Sequence, residues 1–202
     1  FHACMKGEAT ITLGTPQTPG TVAGVVLATI RHSWLRGTMD FIGLNYYSRD
    51  FLKFNPRSPM LADRIIPPGT PVSELNWELY PEGIYRLLME LKRHGKPIYI
   101  TENGVADSKE TLRPAFIRDH LMWVGKAIRD GADVRGYYHW SLMDNFEWAE
   151  GFWPRFGLFR VDYANDLART LTEGGRVFQA IAGANRIRVA GPGADAPLAG
   201  NE

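Results

Sequence analysis

The sequence has a single cysteine and almost no excess of either charge, and both shortages exclude classes of protein. Cys4 is the only cysteine among 202 residues, so neither an intrachain disulfide nor a cysteine-based metal site can form. This favours a cytoplasmic protein. Lys and Arg number 23 against 22 Asp and Glu, whereas nucleic-acid and membrane-surface binders usually need clustered positive charge. We therefore expect neither nucleic acid nor a membrane as partner.

Long hydrophobic runs and several catalytic motifs are also absent. The longest apolar run, Val22 to Ile30, is about half of the roughly 20 residues that a membrane-spanning helix needs. The chain has no glycine-rich phosphate loop and no Gly-x-Ser-x-Gly segment, so phosphoryl transfer and serine hydrolysis have no support. The histidines show no metal-ligand spacing, and we expect no metal site. His139 lies inside an apolar strand and is interpreted as a packed residue.

Apolar segments alternate with amphipathic ones, and this order predicts β-α units around a parallel sheet. The predicted strands cover residues 40–47, 97–101 and 134–140, and the predicted helices begin at Pro81, at Arg113 and at Gly175. Residues 53–73 hold five prolines and are predicted to be an irregular connection. Three clear units are too few to close an eight-stranded barrel.

Polar and aromatic residues follow the carboxyl end of each predicted strand, where active sites of such sheets lie. Glu102 stands in Thr101-Glu102-Asn103-Gly104, directly after an apolar strand. An isolated segment of this kind could equally cap a loop or pair with a lysine. Retaining cleavage of a glycoside needs an ionised carboxylate as nucleophile and a protonated carboxyl roughly 5 to 5.5 Å away. Glu102 suits the first role.

The segment from Trp140 to Gly151 sets two indoles among several acids after the next strand. Indole faces stack on sugar rings and carboxylates bind vicinal hydroxyls, so this mixture suits a sugar ligand. The alternative is that Trp140 and Trp148 are core residues and Glu147 is a solvated loop acid. Burial of acids such as Asp144 would be unfavourable without a hydrogen-bonding partner, and a polyol would provide one.

Asn45 and Tyr47 end the first predicted strand, at 40–47. In the functional interpretation, the Tyr47 hydroxyl donates to Glu102 and stabilises its charged form. In the alternative, both residues only satisfy backbone groups at the end of the sheet.

Residues 38 to about 185 closely resemble the carboxyl-terminal part of the family-1 glycoside hydrolases, of β-glucosidase and β-galactosidase type. Four motifs in the right order carry the resemblance, namely residues 40–47, 76–83, 100–104, and 140–151 with Arg155 to Leu158. The resemblance implies a (β/α)8 barrel of TIM type, retaining hydrolysis of β-glucosides or short β-linked oligosaccharides, and no cofactor.

The resemblance also implies residue roles. It assigns Glu102 as the nucleophile, Tyr47 as its hydrogen-bond partner and Asn45 as a residue lining the site. It assigns Trp140, Glu147 and Trp148 as contacts of the glycone, Phe156 as part of the pocket wall and Trp77 as a platform on the aglycone side.

The sequence departs from the family pattern in one important respect. The acid/base glutamate of the family lies in an Asn-Glu-Pro segment, which residues 1–202 do not contain. We expect a truncated or split enzyme that holds roughly the last three to four βα units. Its predicted organisation is an unassigned segment at 1–37, a partial barrel at 38–188 and a disordered tail at 189–202.

Half a barrel would expose sheet edges and one inner face, and a second copy or a complementing half-barrel chain could cover them. Activity could then come about in three ways. An acid of this chain (Glu78, Glu82, Asp144 or Glu150) could replace the missing one, a partner chain could supply it, or the protein only binds sugars. The leading hypothesis is a retaining β-glycosidase. The rivals are a sugar-binding or regulatory half-barrel and an incomplete product with little function.

Overall fold

The computed structural model describes residues 8–13, 25–31, 33–188 and 195–197, and the chain divides into two compact units. The first unit ends at Ile42 and the second begins at Gly43. In the first unit, strand β1 (Glu8–Leu13) pairs antiparallel with β2 (Val25–Arg31). A 3-10 turn, Ser33–Leu35, follows. The segment that its sequence pattern left unassigned thus contains a pair of strands.

The remaining elements start at the boundary between the units. In chain order they are β3 (Ile42–Asn45), β4 (Phe51–Phe54), β5 (Ala62–Ile65), α1 (Glu82–Lys92), β6 (Ile98–Asn103), α2 (Arg113–Arg129), β7 (Val134–His139), β8 (Phe159–Asp162), β9 (Ala168–Leu171), α3 (Glu173–Ala184), β10 (Arg186–Arg188) and β11 (Asp195–Pro197).

A three-stranded sheet in the order β3-β6-β7 forms the centre of the second unit. β6 and β7 run parallel, with Ile98 opposite Val134, and α2 connects them. The predicted strands and helices therefore occur in the predicted order. The fold is mixed α/β with a parallel sheet, as the alternation of apolar and amphipathic segments indicated.

Two hairpins between β3 and α3 were not foreseen. β4 and β5 pair antiparallel inside the stretch that its prolines marked as irregular, and that prediction is wrong for these strands. The reason is that the five prolines lie in the turn between the strands or after β5, where no ladder donor is needed. β8 and β9 form the second antiparallel pair.

Side chains from outside the helices fix two of their amino ends. The Asp107 carboxylate accepts the backbone N–H groups of Leu112 and Arg113, at 2.8 and 2.9 Å, where α2 begins. The Thr172 hydroxyl accepts the N–H of Gly175 at 3.0 Å. α3 therefore starts at Glu173, two residues before the predicted start, because a threonine at this position satisfies a backbone donor that the helix leaves open.

The core lies between the helices and one side of the sheet. Ile98 and Ile100 of β6 are fully buried there, and α1 contributes Ile84 and Leu88. A second cluster connects α2 with later parts of the chain. It contains Ile117 and Leu121 of α2, Leu158 before β8 and Ile187 of β10. Apolar side chains at helical spacing thus pack on one side of the sheet, where they meet the apolar side chains of the strands.

The predicted frayed tail is described only in part. Residues 195–197 form β11 and pair antiparallel with β10, whereas the rest of 189–202 lies outside the described residues, as does Cys4. Among the residues that the structure describes, no helix has both the length and the hydropathy needed to cross a membrane.

Candidate active site

A β-bulge in β6 determines where Glu102 points. Ile100 lies opposite Tyr137, yet the next paired residues are Asn103 and His139, so β6 has one more residue than β7 in this interval. Side chains alternate between the two sides of a strand, and without the extra residue Glu102 would follow Ile100 towards the helices. The bulge instead gives the buried position to Asn103 and leaves Glu102 partly exposed.

Asn103 supports the site structurally, a role that the sequence pattern did not reveal. Its amide donates to the Tyr46 carbonyl oxygen at 2.7 Å and accepts the Tyr137 hydroxyl at 2.7 Å. Its own carbonyl accepts the Trp140 N–H at 3.0 Å. This fully buried side chain therefore ties the ends of all three central strands together. Buried tyrosines need partners for their hydroxyls, and Tyr137 in an apolar strand was the available signal.

Glu102 accepts a hydrogen bond from Tyr47, as the functional interpretation of both residues required. The Tyr47 hydroxyl lies 2.6 Å from Oε2 of Glu102. Burial raises the pKa of Tyr47 well above its usual range, and the bond to Glu102 raises it further. Tyr47 therefore keeps its proton and acts as a donor to the carboxylate. In the part of the chain from 33 to 188, Glu102 takes part in no ion pair, so the alternative of a lysine partner has no support.

Two aromatic rings hold Tyr47 in place. Its ring meets Trp77 edge-on with 5.4 Å between centroids, and Phe156 edge-on at 6.3 Å. Trp77 and Phe156 also touch, at 6.1 Å. Phe156 is buried, whereas Trp77 is partly exposed. Phe156 thus supports the site from behind, and Trp77 offers it a surface.

Trp140 and Glu147 form the second part of the site. The indole Nε1 of Trp140 donates to Oε1 of Glu147 at 3.1 Å. Burial raises the pKa of Glu147, the Trp140 bond opposes this rise, and the negative charge of Glu102 adds to it. The carboxyl groups of Glu102 and Glu147 are therefore close enough for the charge of Glu102 to affect the pKa of Glu147. Gly104 permits this arrangement, because a Cβ there would overlap the carbonyl oxygen of Trp140.

Two other predicted site residues lie at the exposed margin. Asn45 is exposed, and its Oδ1 accepts the Thr101 hydroxyl at 2.6 Å. Trp148 is 82% exposed and has a φ of 51° in a short 3-10 turn. Asn45 thus faces the same side as Thr101, and the Trp148 indole is accessible to a ligand.

Asp144 departs from the sequence interpretation, in which a polyol would satisfy it. Its carboxylate accepts the backbone N–H groups of Gly157 and Val161, at 3.0 and 3.1 Å, and a bond from Arg155 at 3.1 Å. The expectation that this acid needs a ligand is wrong. Asp144 is buried because the protein itself supplies three donors, which fold the last loop onto β8.

The other acids considered as replacements for the acid/base are also engaged. Glu78 accepts two bonds from Arg49, at 2.6 and 3.0 Å, and Glu82 pairs with Arg86 on the surface of α1. Glu150 accepts the Trp153 indole N–H at 3.0 Å. Each of these three carboxylates therefore already has a hydrogen-bond donor of the protein as its partner.

His139 packs against α3, in agreement with its interpretation as a packed residue. Its ring lies 6.2 Å from that of Phe178, and burial lowers its pKa to about 3. Among the described residues, no three His, Cys, Asp or Glu side chains form a group that could hold a metal ion.

Comparisons with known proteins identify the family of the chain. The sequence profile of glycosyl hydrolase family 1 matches residues 25–187, starting earlier than the resemblance at residue 38. The β-galactosidase of Pyrococcus woesei is 44% identical over 146 residues, which are 64% of this chain and 28% of that protein. β-Glucosidase A of Thermotoga maritima is 40% identical over 143 residues, 65% of this chain and 32% of that protein.

Solved structures give the same result. The β-glycosidase of Pyrococcus horikoshii superposes with a TM-score of 0.70 at 38% identity, over 89% of this chain and 39% of that one. The family 1 β-glucosidase of Thermotoga maritima gives 0.68 at 36% identity, over 74% of this chain and 36% of that one. The chain spans about a third of the length of these relatives. Because the profile matches more than half of its residues, the chain belongs to glycosyl hydrolase family 1.

Proposed function

We propose that the chain carries the nucleophile side of a retaining β-glycosidase site. Glu102 attacks the anomeric carbon of a β-glucoside or short β-linked oligosaccharide while the bond to the leaving oxygen breaks. Water then attacks the glycosyl-enzyme and frees Glu102, with retention of configuration. The observation that carries this proposal is the 2.6 Å bond from Tyr47 to Glu102, because it holds a carboxylate that has no ion-pair partner among residues 33–188 at a strand end.

The glycone rests on the other half of the site in this proposal. Trp140 offers an indole face, and Glu147 accepts bonds from two hydroxyls of the ring. The exposed indole of Trp148 adds a further contact. The chemistry needs two carboxyl groups and no cofactor. Relatives with β-glucosidase and β-galactosidase names support a β-glycosidase in general, and the gluco preference is part of the proposal.

The proton donor comes from outside residues 33–188. Glu78, Glu82, Asp144 and Glu150 are each held by donors of the protein, so none of them is positioned by its partners to meet a leaving group. We infer that the described sheet is roughly the last three to four βα units of a (β/α)8 barrel and that the acid stands on the remaining units. A complementing chain or a second copy is one source of it.

Covalent trapping tests the role of Glu102 without depending on the acid. An aryl glucoside with a good leaving group and fluorine at carbon 2 forms the glycosyl-enzyme but releases it slowly. Mass spectrometry of the digested protein should find one sugar on the peptide that contains Glu102. Glu102→Gln keeps an acceptor for Tyr47 and should remove both the label and aryl glucoside turnover, by on the order of 1000-fold or more. The matched control, Glu90→Gln on the exposed side of α1, should react normally.

The second candidate function is sugar binding without turnover, which the engagement of all four alternative acids favours. It predicts measurable glucose binding and no covalent label, even with the activated substrate. A label on any residue other than Glu102 would contradict both functions as stated here.

A further inference from the structure

The loop that carries Glu147 closes on itself. The Glu147 N–H donates to the carbonyl oxygen of Gly151 at 2.7 Å, and the Glu150 N–H donates to the carbonyl oxygen of Glu147 at 3.0 Å. Gly151 has a φ of 70°, in the left-handed region that favours glycine. Residues 147–151 therefore form a small closed unit. The place of the Glu147 carboxylate depends on what holds this unit against the rest of the protein.

A stack of three aromatic rings connects the closed loop to the hairpin of β8 and β9. Phe146 and Phe152 flank the loop, and their rings meet edge-on with 5.3 Å between centroids. Phe152 also meets the ring of Tyr163 edge-on, at 4.9 Å. Both distances are in the range where aromatic pairs attract each other. Because Tyr163 directly follows β8, the stack joins both ends of the loop to the hairpin.

Arg155 fixes the ring of Tyr163. The guanidinium carbon lies 4.5 Å from the ring centroid, a favourable contact between a cation and an aromatic face. Nη1 of Arg155 donates to the Asp144 carboxylate and to the carbonyl oxygen of Val161, both at 3.1 Å. The Tyr163 hydroxyl has no hydrogen-bond partner among the described residues. The ring of Tyr163, and not its hydroxyl, therefore links the hairpin to the loop.

The stack lies outside the core. Phe146 and Phe152 are 55% and 52% exposed, and Tyr163 is partly exposed. The bond from Trp140 holds the Glu147 carboxylate at one point and leaves the side chain free to turn about it. The aromatic stack provides a second support, which acts on the backbone at both ends of the loop.

We propose that Tyr163 is a positioning residue of the glycone site, which holds Glu147 in place through Phe152 and Phe146. The inference rests on the proposed function, in which Glu147 accepts bonds from two hydroxyls of the glycone. A small displacement of the carboxylate lengthens these bonds and weakens them. Tyr163 does not contact Glu102. It therefore affects how tightly the glycone binds, and it does not affect the attack of Glu102 on a bound sugar.

Calorimetric binding of glucose to the intact chain tests this role. Tyr163→Leu removes the ring and keeps an apolar side chain, and it should weaken glucose binding by about tenfold, as expected for the loss of a hydrogen bond to a charged group. Tyr163→Phe keeps the ring and should bind glucose within about twofold of the parent. Phe152→Leu interrupts the same stack and should weaken binding by a similar factor. The double variant should bind no more weakly than either single variant, because both substitutions act through one contact.

The kinetics of covalent labelling at Glu102 distinguish positioning from a general loss of structure. With the activated 2-fluoro glucoside, Tyr163→Leu should need about tenfold more reagent for half of its maximal labelling rate. The maximal rate itself should stay within about twofold of the parent. The matched control is Leu167→Ala, because Leu167 is 50% exposed in the turn of the same hairpin and takes no part in the stack. It should change neither quantity.

Unchanged glucose affinity in Tyr163→Leu would overturn the positioning role. So would a Tyr163→Phe variant that binds as weakly as Tyr163→Leu, or a double variant in which the two losses add. A fall in the maximal labelling rate that equals the fall in affinity would show that Tyr163 only supports the fold. A parent that binds no glucose would overturn this role together with that of Glu147, whereas a parent that binds glucose without being labelled would contradict only the role of Glu102.

Discussion

The two sides of the sheet formed by β3, β6 and β7 differ sharply. On the helix side, Ile98, Ile100 and Asn103 are fully buried, and the polar group among them has partners on both neighbouring strands. On the opposite side, Thr101 is exposed and Tyr138 is 57% exposed. Parallel sheets normally have both sides covered. The contrast indicates that the contacts that stabilise the fold lie mainly on one side of this sheet, whereas the other side is available for the proposed reaction.

The bulge at Glu102 lies where the two sides meet. It places the side chain of Asn103 on the helix side and that of the preceding residue, Glu102, towards Tyr47. These two neighbouring residues of β6 therefore contribute to folding and to the proposed reaction, respectively. Substitutions on the helix side should change the free energy of unfolding, and substitutions on the open side should not.

The largest effect is expected from Asn103→Ala. The substitution removes both hydrogen bonds of the amide and leaves the Tyr137 hydroxyl and the Tyr46 carbonyl oxygen buried without a partner. We expect a loss of about 3 kcal/mol in the free energy of unfolding, because each unsatisfied buried group costs roughly 1–3 kcal/mol. Urea denaturation followed by tryptophan fluorescence measures it.

Asn45→Ala is the matched control for Asn103→Ala on the open side. Asn45 is exposed and its Oδ1 accepts one bond, from Thr101. Its removal should lower the free energy of unfolding by less than about 1 kcal/mol. Equal losses in the two alanine variants would contradict the assignment of stability to the helix side.

The next largest expected effect is a pH dependence of the free energy of unfolding, which comes from His120 in α2. His120 is buried beside Tyr46, and burial lowers its pKa from 6.5 to about 4 despite the bond between Nδ1 and the Phe116 carbonyl. The unfolded chain therefore takes up a proton at higher pH than the folded protein does. This contribution to stability is complete above about pH 6.5 and declines as the pH falls towards 4. At pH 5 the loss is about 2 kcal/mol.

His120→Gln isolates this dependence. Glutamine has no titrating group in this range, so the difference in unfolding free energy between pH 7 and pH 5 should be smaller in the variant by about 2 kcal/mol. Denaturant titrations at the two pH values give both differences. If the parent and the variant lose the same amount between the two pH values, His120 is accessible to protons in the folded state.

The order of strands and helices could be predicted because it depends on local patterns. Apolar runs bounded by glycine and proline gave β6 and β7, and helical spacing gave α1 and α2. The hairpin of β4 and β5 was missed because its exposed strands lack an alternating pattern of burial and its prolines lie just outside them. Pairing between such strands depends on contacts across the hairpin, which the residues of neither strand reveal by themselves.

The site could be predicted in outline, and the reason for its geometry could not. Glu102, Tyr47, Trp140 and Glu147 were selected by residue type and place, and the structure brings each pair into hydrogen-bond contact. The bulge that orients Glu102 depends on the register between two strands. Asp144 was misread because its partners lie 11 to 17 residues further along the chain, before and within β8, where the sequence offered no sign of a strand.

The smallest effect is expected at Tyr138, whose neighbour in sequence provides the comparison. Tyr137 packs on Phe178 and donates to Asn103, whereas Tyr138 follows it on β7 and points away from that contact. Tyr137→Phe should lower the free energy of unfolding by about 1–2 kcal/mol, since Asn103 loses a buried donor. Tyr138→Ser should change it by no more than about 0.5 kcal/mol.

The Tyr138 result also bears on what covers the open side in solution. An exposed tyrosine contributes little to stability, but one buried against a second copy or a complementing chain contributes through its large apolar area. A loss above about 1 kcal/mol in Tyr138→Ser that grows with protein concentration would show that the open side is an interface, because dimer stability depends on protomer concentration. Sedimentation velocity of parent and variant would then separate the two cases, and an unchanged monomer would confirm that the open side is free for ligands.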